Sequence, residues 1–309
     1  MPIHKIWLTG SRGFIGSVLA RLLKNAGREV SCFSNQLPGK SEAPAKEFLC
    51  HTLDYLSERD IKSKVERIGL PDCFIHSGWG DMALPESAMH LGENLQASKT
   101  LIETLFRLGL KKFVFIGSMN EYGSRTGLLC EDSLPQGRLT NYAKAKIEVA
   151  KFGLKSASAY GKTYVHVRTF YVYGAGQRPG SLINELYQSF LLNKDVQLSP
   201  CEHYRDYIHV SEAGEGLLKI SNSVEGSTVV NLGRGTVIKV KDFVLLFWKL
   251  LGGDREKLKF GARPMRSDEP AQPQSYADVT HLKNLIHWSP SLSLRDGIKR
   301  TIKELHERA

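Results

Sequence analysis

The chain has 309 residues, with 42 Lys and Arg against 32 Asp and Glu for a net charge of +10, long enough to bury a full core in one large domain or two intimate ones. The basic residues are spread along the chain rather than clustered, which sets aside a nucleic-acid partner; five scattered cysteines without a Cys-x-x-Cys pair fit reduced thiols in a cytoplasm. No histidines stand at metal-ligand spacing, His203 and His209 reading as surface or loop residues, while the start at Met1 has no signal-peptide layout and the longest apolar run, 243–251, is too short to span a membrane.

In chain order, residues 5–9 read as a short buried strand. Then come Gly10-Ser-Arg-Gly13-Phe-Ile-Gly16 and an amphipathic helix with apolar Phe14, Ile15, Val18, Leu19, Leu22 and Leu23, stopped at Gly27. Strand, glycine turn and helix start together predict a dinucleotide site. Glycines let the backbone approach a pyrophosphate, and free amides with the helix dipole attract its charge. Further strands are predicted over 29–33, 47–50, 73–77, 112–118, 164–170 and 228–232, with helices between them. That alternation predicts an α/β fold with a doubly wound parallel sheet, and no internal repeat or long linker interrupts it. Ser118 closes the apolar run Phe113-Val-Phe-Ile-Gly117, at the carboxyl edge of the sheet where ligands of such folds gather. Tyr142 and Lys146 lie one helical turn apart on one face. A fixed ammonium beside a phenol favours phenolate, so Lys146 is expected to lower the Tyr142 pKa from about 10 toward neutrality.

With these residues the chain resembles the extended short-chain dehydrogenase/reductase superfamily, in its branch of NAD(P)-dependent nucleotide-sugar epimerases, dehydratases and reductases. The landmarks are Thr9-Gly-Ser-Arg-Gly-Phe-Ile-Gly16, Phe115-Ile-Gly-Ser118 with Glu121-Tyr-Gly123, Tyr142 to Lys146, Arg168 leading to Tyr173-Gly174, Arg205-Asp-Tyr-Ile-His-Val210, Asn231-Leu-Gly233 and Trp288-Ser-Pro290. The resemblance implies a Rossmann domain over 1–173, with 206–233 returning to it. It also implies a smaller, discontinuous C-terminal substrate-binding lobe from 174–205 and 234–309. By the same resemblance Ser118, Tyr142 and Lys146 are the catalytic residues. Ser118 and Tyr142 bond a substrate carbonyl, Tyr142 delivers the proton as a nicotinamide delivers hydride, and Lys146 holds the nicotinamide ribose.

For the cofactor, the resemblance assigns Gly10, Ser11, Arg12, Gly13, Phe14, Ile15 and Gly16 to the pyrophosphate turn. Ser34 stands where NAD enzymes carry an acid for the ribose hydroxyls, followed by Asn35. With no carboxylate at Ser34, Arg12 and Lys40 are expected to meet a 2′-phosphate, which favours NADP(H) over NAD; Arg12 could instead face solvent or bind a pyrophosphate. Thr52 replaces an adenine-binding Asp, leaving backbone near Leu53 or the out-of-register Asp54 to hold the base. Ser77, Gly78 and Trp79 follow the ribose and nicotinamide, with Trp79 either a wall of the site or a core aromatic. Asn94 supports the site, and Tyr171, where many relatives carry Asn, completes the set.

For the substrate, Arg205 and Arg263 resemble the superfamily's pyrophosphate-binding arginines, with Arg266 an alternate for the second. Ser181, Leu182 and Asn184 lie in the segment over the nucleotide, and Ser118 and Asn120 face the sugar. Dehydratases of this kind carry a carboxylate where Asn120 stands, and Glu121 is one residue out of step and expected to point elsewhere; dehydration is therefore disfavoured. The favoured reading is NADPH-dependent reduction of a 4-keto nucleotide-diphosphate sugar in deoxysugar biosynthesis. An NAD-dependent nucleotide-sugar 4-epimerase is the alternative, and a non-catalytic NADP sensor the remote one. Helices around 94–108 and 141–154 form a homodimer interface in many relatives, so a homodimer is expected.

Overall fold

A computed structural model describes residues 3–35, 48–264 and 274–308. Lys40 and Arg266 lie outside these residues. Seven parallel strands form the main sheet, in the order Thr228–Leu232, Thr163–Thr169, Lys112–Ser118, Cys73–His76, Lys5–Thr9, Glu29–Ser34, Leu49–Thr52. The chain runs outward from Lys5–Thr9 to one edge, then crosses to Cys73–His76 and runs outward the other way. The reversal opens a crevice at the carboxyl ends of Lys5–Thr9 and Cys73–His76, which pair directly with Thr9 opposite His76.

Both faces of the sheet are covered, so its strands read as apolar runs rather than alternating ones. Every residue of Lys112–Ser118 is buried. Ile6 and Leu8 point to one face, where helices Phe14–Asn25 and Val210–Ser223 supply Leu19, Leu23, Leu217 and Ile220. Trp7 points to the other, where Leu101 and Leu105 of helix Glu93–Arg107 meet Val149 and Ala157 of helix Asn141–Tyr160. The latter helix starts at Thr140, whose hydroxyl accepts from the Ala143 amide, and ends on Gly161 in the left-handed region.

A separate core joins helices Leu182–Leu191, Val240–Leu251 and Leu294–His306 through Ile183, Leu186, Phe243, Phe247, Ile298 and Leu305. The segment around 275–286, assigned by resemblance to this lobe, packs instead on the main sheet. Strand Ser275–Ala277 pairs with Gly127–Leu129, and Leu282 and Ile286 of helix Thr280–Ile286 enter the sheet's core because they form that helix's apolar stripe. The third strand is displaced from 47–50 to Leu49–Thr52, where it registers with Ser31 to Ser34. His203 and His209 are buried rather than on the surface; the His209 ring caps helix Val210–Ser223 by accepting from the Ser211 amide. Among the described residues no helix is long and apolar enough to cross a membrane.

Candidate active site

The glycine turn is built to bring backbone against a ligand. Gly10 has a φ of +70°, open to glycine at no steric cost, and a Cβ there would lie 2.6 Å from the Ser77 carbonyl carbon. A Cβ on Gly16 would collide with the Gly10 carbonyl oxygen. Helix Phe14–Asn25 begins at Gly13 with no side-chain cap and no acid in its first turn, so its leading amides face the crevice unopposed by a carboxylate. This cradle fits a dinucleotide pyrophosphate. Ser11 is buried in the turn, which also carries Arg12, Phe14 and Ile15.

Thr9 and His76 were given no role of their own in the sequence, yet they fix the crevice. The Thr9 hydroxyl accepts from the Ser77 and Gly78 amides at 3.1 and 3.0 Å and sits 2.6 Å from His76 Nδ1. His76 Nε2 reaches Ser98, whose hydroxyl donates to Asn94 O. Burial, helped by the Lys146 charge, pushes His76 down to about 3, so it works as a neutral hydrogen-bonding strut. Their only sequence signal was a Thr and a His at the ends of two apolar strands. The Asn94 side chain clamps Gly80, accepting from its amide and donating to its carbonyl, both at 3.1 Å.

At the adenosine end Arg12 donates to Ser34 at 3.4 Å. Asn35 is exposed and Thr52 half-buried. The Leu53 amide donates to the Ser34 carbonyl, and Asp54 Oδ1 accepts from the Leu56 amide.

Ser118, Tyr142 and Lys146 converge at the end of the central strand. The Tyr142 phenol stands beside the Ser118 hydroxyl, which favours its ionised form and accepts from the Asn120 amide. Lys146 Nζ donates to the Ile116 carbonyl at 2.7 Å and lies 3.9 Å from the Trp79 ring centre and 4.5 Å from that of Phe115. Trp79 is thus a wall of the site, its indole N–H held by His90 Nδ1. The expected lowering of the Tyr142 pKa is not what the structure has. Burial raises it well above 10, the Ser118 hydroxyl opposes, and Glu121 adds to the rise. Burial pushes Lys146 down to about 7, opposed by Glu121. Desolvation is the largest cause for both groups because both are almost fully enclosed. Asn120 is exposed and has no carboxylate to offer. Glu121 turns inward beneath Ser118, accepting from its amide at 2.8 Å.

A second cavity, of about 310 Å³, lies in the smaller lobe and is lined by Tyr171, Ser181, Leu182, Glu185, Arg205 and Arg263, among others. Thr169 registers with Ser118 across the sheet, so Tyr171 begins the cavity wall just beyond the catalytic edge. Tyr171, expected among the cofactor residues, lines this cavity with its ring under the Arg205 guanidinium at 4.4 Å. Arg263 pairs with Glu185 at 2.6 Å. Asn184 is not in the wall. Its amide donates to the Gln177 and Arg178 carbonyls at 2.6 and 2.8 Å, bracing the loop before its helix.

Comparisons with known proteins agree with this layout. The chain is 28% identical to a Bacillus subtilis protein named uncharacterized UDP-glucose epimerase YtcB, over 97% of this chain and 98% of that one. It is 25% identical to the UDP-glucose 4-epimerase of Azospirillum brasilense, over 96% and 90%. Among solved structures, MoeE5 in complex with UDP-glucose and NAD superposes with a TM-score of 0.82 at 26% identity, covering 98% of this chain and 99% of that one. A Thermotoga maritima UDP-glucose 4-epimerase shares the fold at a TM-score of 0.86 and 23% identity, over 98% and 99%. The profile of the NAD dependent epimerase/dehydratase family matches residues 6–233, the stretch from the first strand through the last strand of the main sheet, and the chain belongs to that family.

Proposed function

We propose that this chain is a nucleotide-sugar 4-epimerase working with a bound nicotinamide dinucleotide, NAD in the first instance. The observation that carries the reading is the Tyr142 phenol beside Ser118, with Lys146 one turn along the same helix, in a chain alike end to end with proteins named 4-epimerases. Held in the glycine turn, the dinucleotide would supply hydride exchange at the sugar C4. Tyr142, once ionised against the pull of burial, accepts the C4 hydroxyl proton in the oxidation and gives it back in the reduction, so no external reductant is consumed. The Ser118 hydroxyl bonds the same oxygen as hydroxyl and as carbonyl. The Lys146 ammonium offsets the phenolate that burial disfavours. Arg205 and Arg263 hold the substrate diphosphate, with Ser181 and Leu182 along the nucleotide; Arg263 exchanges Glu185 for the phosphate.

One observation favours a second reading, the NADPH-dependent 4-keto reductase. Ser34 stands where an acid would repel a 2′-phosphate, and Arg12 lies beside it; a Kitasatospora kifunensis relative, 24% identical over 96% of this chain, is named dTDP-6-deoxy-L-talose 4-dehydrogenase (NAD(P)(+)). A nucleotide sugar incubated with enzyme and NAD tests the choice. The epimerase yields the C4 epimer with no net change in reduced cofactor, whereas the reductase consumes one NADPH per 4-keto sugar and a sensor turns over nothing. Five free cysteines support a cytoplasmic setting. The packed helix pair Glu93–Arg107 and Asn141–Tyr160 is the face we assign to a homodimer, for which light scattering at twice the chain mass is the check.

A further inference from the structure

Behind the reacting residues lies a buried charge cluster that the mechanism above does not use. The Glu121 side chain has no exposed surface, and its carboxylate accepts four hydrogen bonds. The Ser118 amide reaches Oε1 at 2.8 Å, His166 Nε2 spans both oxygens at 2.9 and 3.0 Å, and Arg168 Nε reaches Oε2 at 2.9 Å. His166 Nε2 must therefore carry its hydrogen, leaving Nδ1 against the Tyr164 hydroxyl at 3.1 Å. Gly117 is what lets the carboxylate fit, since a Cβ there would lie 2.6 Å from Glu121 Oε1. Arg168 is itself fixed, lying over the Tyr122 ring at 4.5 Å and donating to the Glu131 carbonyl. A buried ion pair of this kind is a poor way to gain stability, because desolvation costs offset the attraction.

We propose that Glu121, clamped by His166 and Arg168, is a positioning residue of the catalytic centre, a fixed buried anion that keeps the Lys146 ammonium charged inside an otherwise apolar wall. Burial drives the Glu121 carboxyl up, but His166, Arg168 and the Ser118 amide outweigh it and bring it to about 2, so it is an anion at every working pH. Lys146 is nearly enclosed, its Nζ on the Ile116 carbonyl while Glu121 holds the Ser118 amide two residues along the same strand; burial draws its amine down to about 7 with Glu121 opposing. The other groups facing it are Tyr142 on its own helix, His76 from the neighbouring strand and the rings of Trp79 and Phe115. His90 stands against Tyr142, and His166 and Arg168 lie behind Glu121. Tyr142 and His76 are neutral near pH 7, which leaves Glu121 as the anion on this side of the site.

The inference rests on reading Ser118, Tyr142 and Lys146 as the reacting set, but its test does not need turnover. Lysine labelled with ¹³C at Cε is titrated by NMR in the cofactor-free protein, the Lys146 signal being assigned by its loss in Lys146→Met. Glu121→Gln is expected to lower the Lys146 midpoint by on the order of half to one pH unit. Arg168→Gln, which removes a cation and leaves Glu121 less compensated, is expected to raise it by a similar amount, and it serves alone if the Glu121→Gln protein does not fold. A midpoint unmoved in a folded variant overturns the proposal, because a merely structural role would not tie the lysine titration to this charge. If the midpoints move as stated while no sugar nucleotide turns over, the epimerase reading fails and the positioning role stands.

Discussion

At the scale of single residues, the chemistry depends on groups whose burial works against their charge. Tyr142 is held protonated by its surroundings and stands beside the Ser118 hydroxyl, so removing the phenol takes away the titratable group next to that hydroxyl. Tyr142→Phe is expected to lower turnover by on the order of a hundred- to ten-thousand-fold while leaving dinucleotide binding intact, as read by kinetics and calorimetry side by side. Lys146 titrates near 7 in the folded chain against 10.5 in a free side chain. Between those values the unfolded chain binds the extra proton, so this group makes stability rise with pH across that window. Urea unfolding from about pH 7 to 9.5 should show the rise, and Lys146→Met should remove it. The spacing of Tyr142 and Lys146 was weak alone and gained its meaning from the glycine turn, but the direction of the Tyr142 shift was not legible, because a sequence shows which groups are neighbours and not how much water remains around them.

At the scale of elements, the glycine turn and the strand ends beside it act as one unit. Gly16→Ala places a methyl on the Gly10 carbonyl, and the expected outcome is loss of dinucleotide binding with the sheet intact, checked by cofactor titration against circular dichroism. Asn94→Ala frees both polar groups of Gly80, at an expected cost of about 1–3 kcal/mol and with Trp79 fluorescence shifted, since that indole is the next residue along the clamped loop. The turn was readable because glycines, an apolar strand and an amphipathic helix occur in fixed order. The strut formed by Thr9, His76 and Ser98 was not, since it joins residues distant in sequence and near only once the strands pair. Asn184 shows the opposite case, a correct element with the side chain turned to the loop carbonyls instead of the cavity. Tyr171 likewise was not legible as a wall of the smaller lobe's cavity, because its ring packs under Arg205, distant in sequence.

At the scale of the whole molecule, Asp206 joins the return segment to the loops on either side. Its buried carboxylate accepts from the Arg234, Gly235 and Ala277 amides at 2.8, 2.9 and 3.0 Å. Burial raises its pKa to about 6 from 3.8, with those amides opposing. The folded chain therefore binds the extra proton between about pH 4 and 6, and this group's contribution to stability falls as pH rises through that window. Asp206→Asn should flatten that segment of a melting-temperature profile. The parallel sheet was legible in the alternation of strands and helices, whereas the packing of helix Thr280–Ile286 on it was hidden in one short element. The proposed function at this scale is an oxidation and a reduction performed on one captured sugar. The most direct measurement is NMR of UDP-galactose or UDP-glucose incubated with the purified protein and NAD, with no reductant added. The account expects the C4 epimer to accumulate to equilibrium with no net NADH. Absence of that epimer, together with stoichiometric NADPH oxidation on a 4-keto nucleotide sugar, would contradict it.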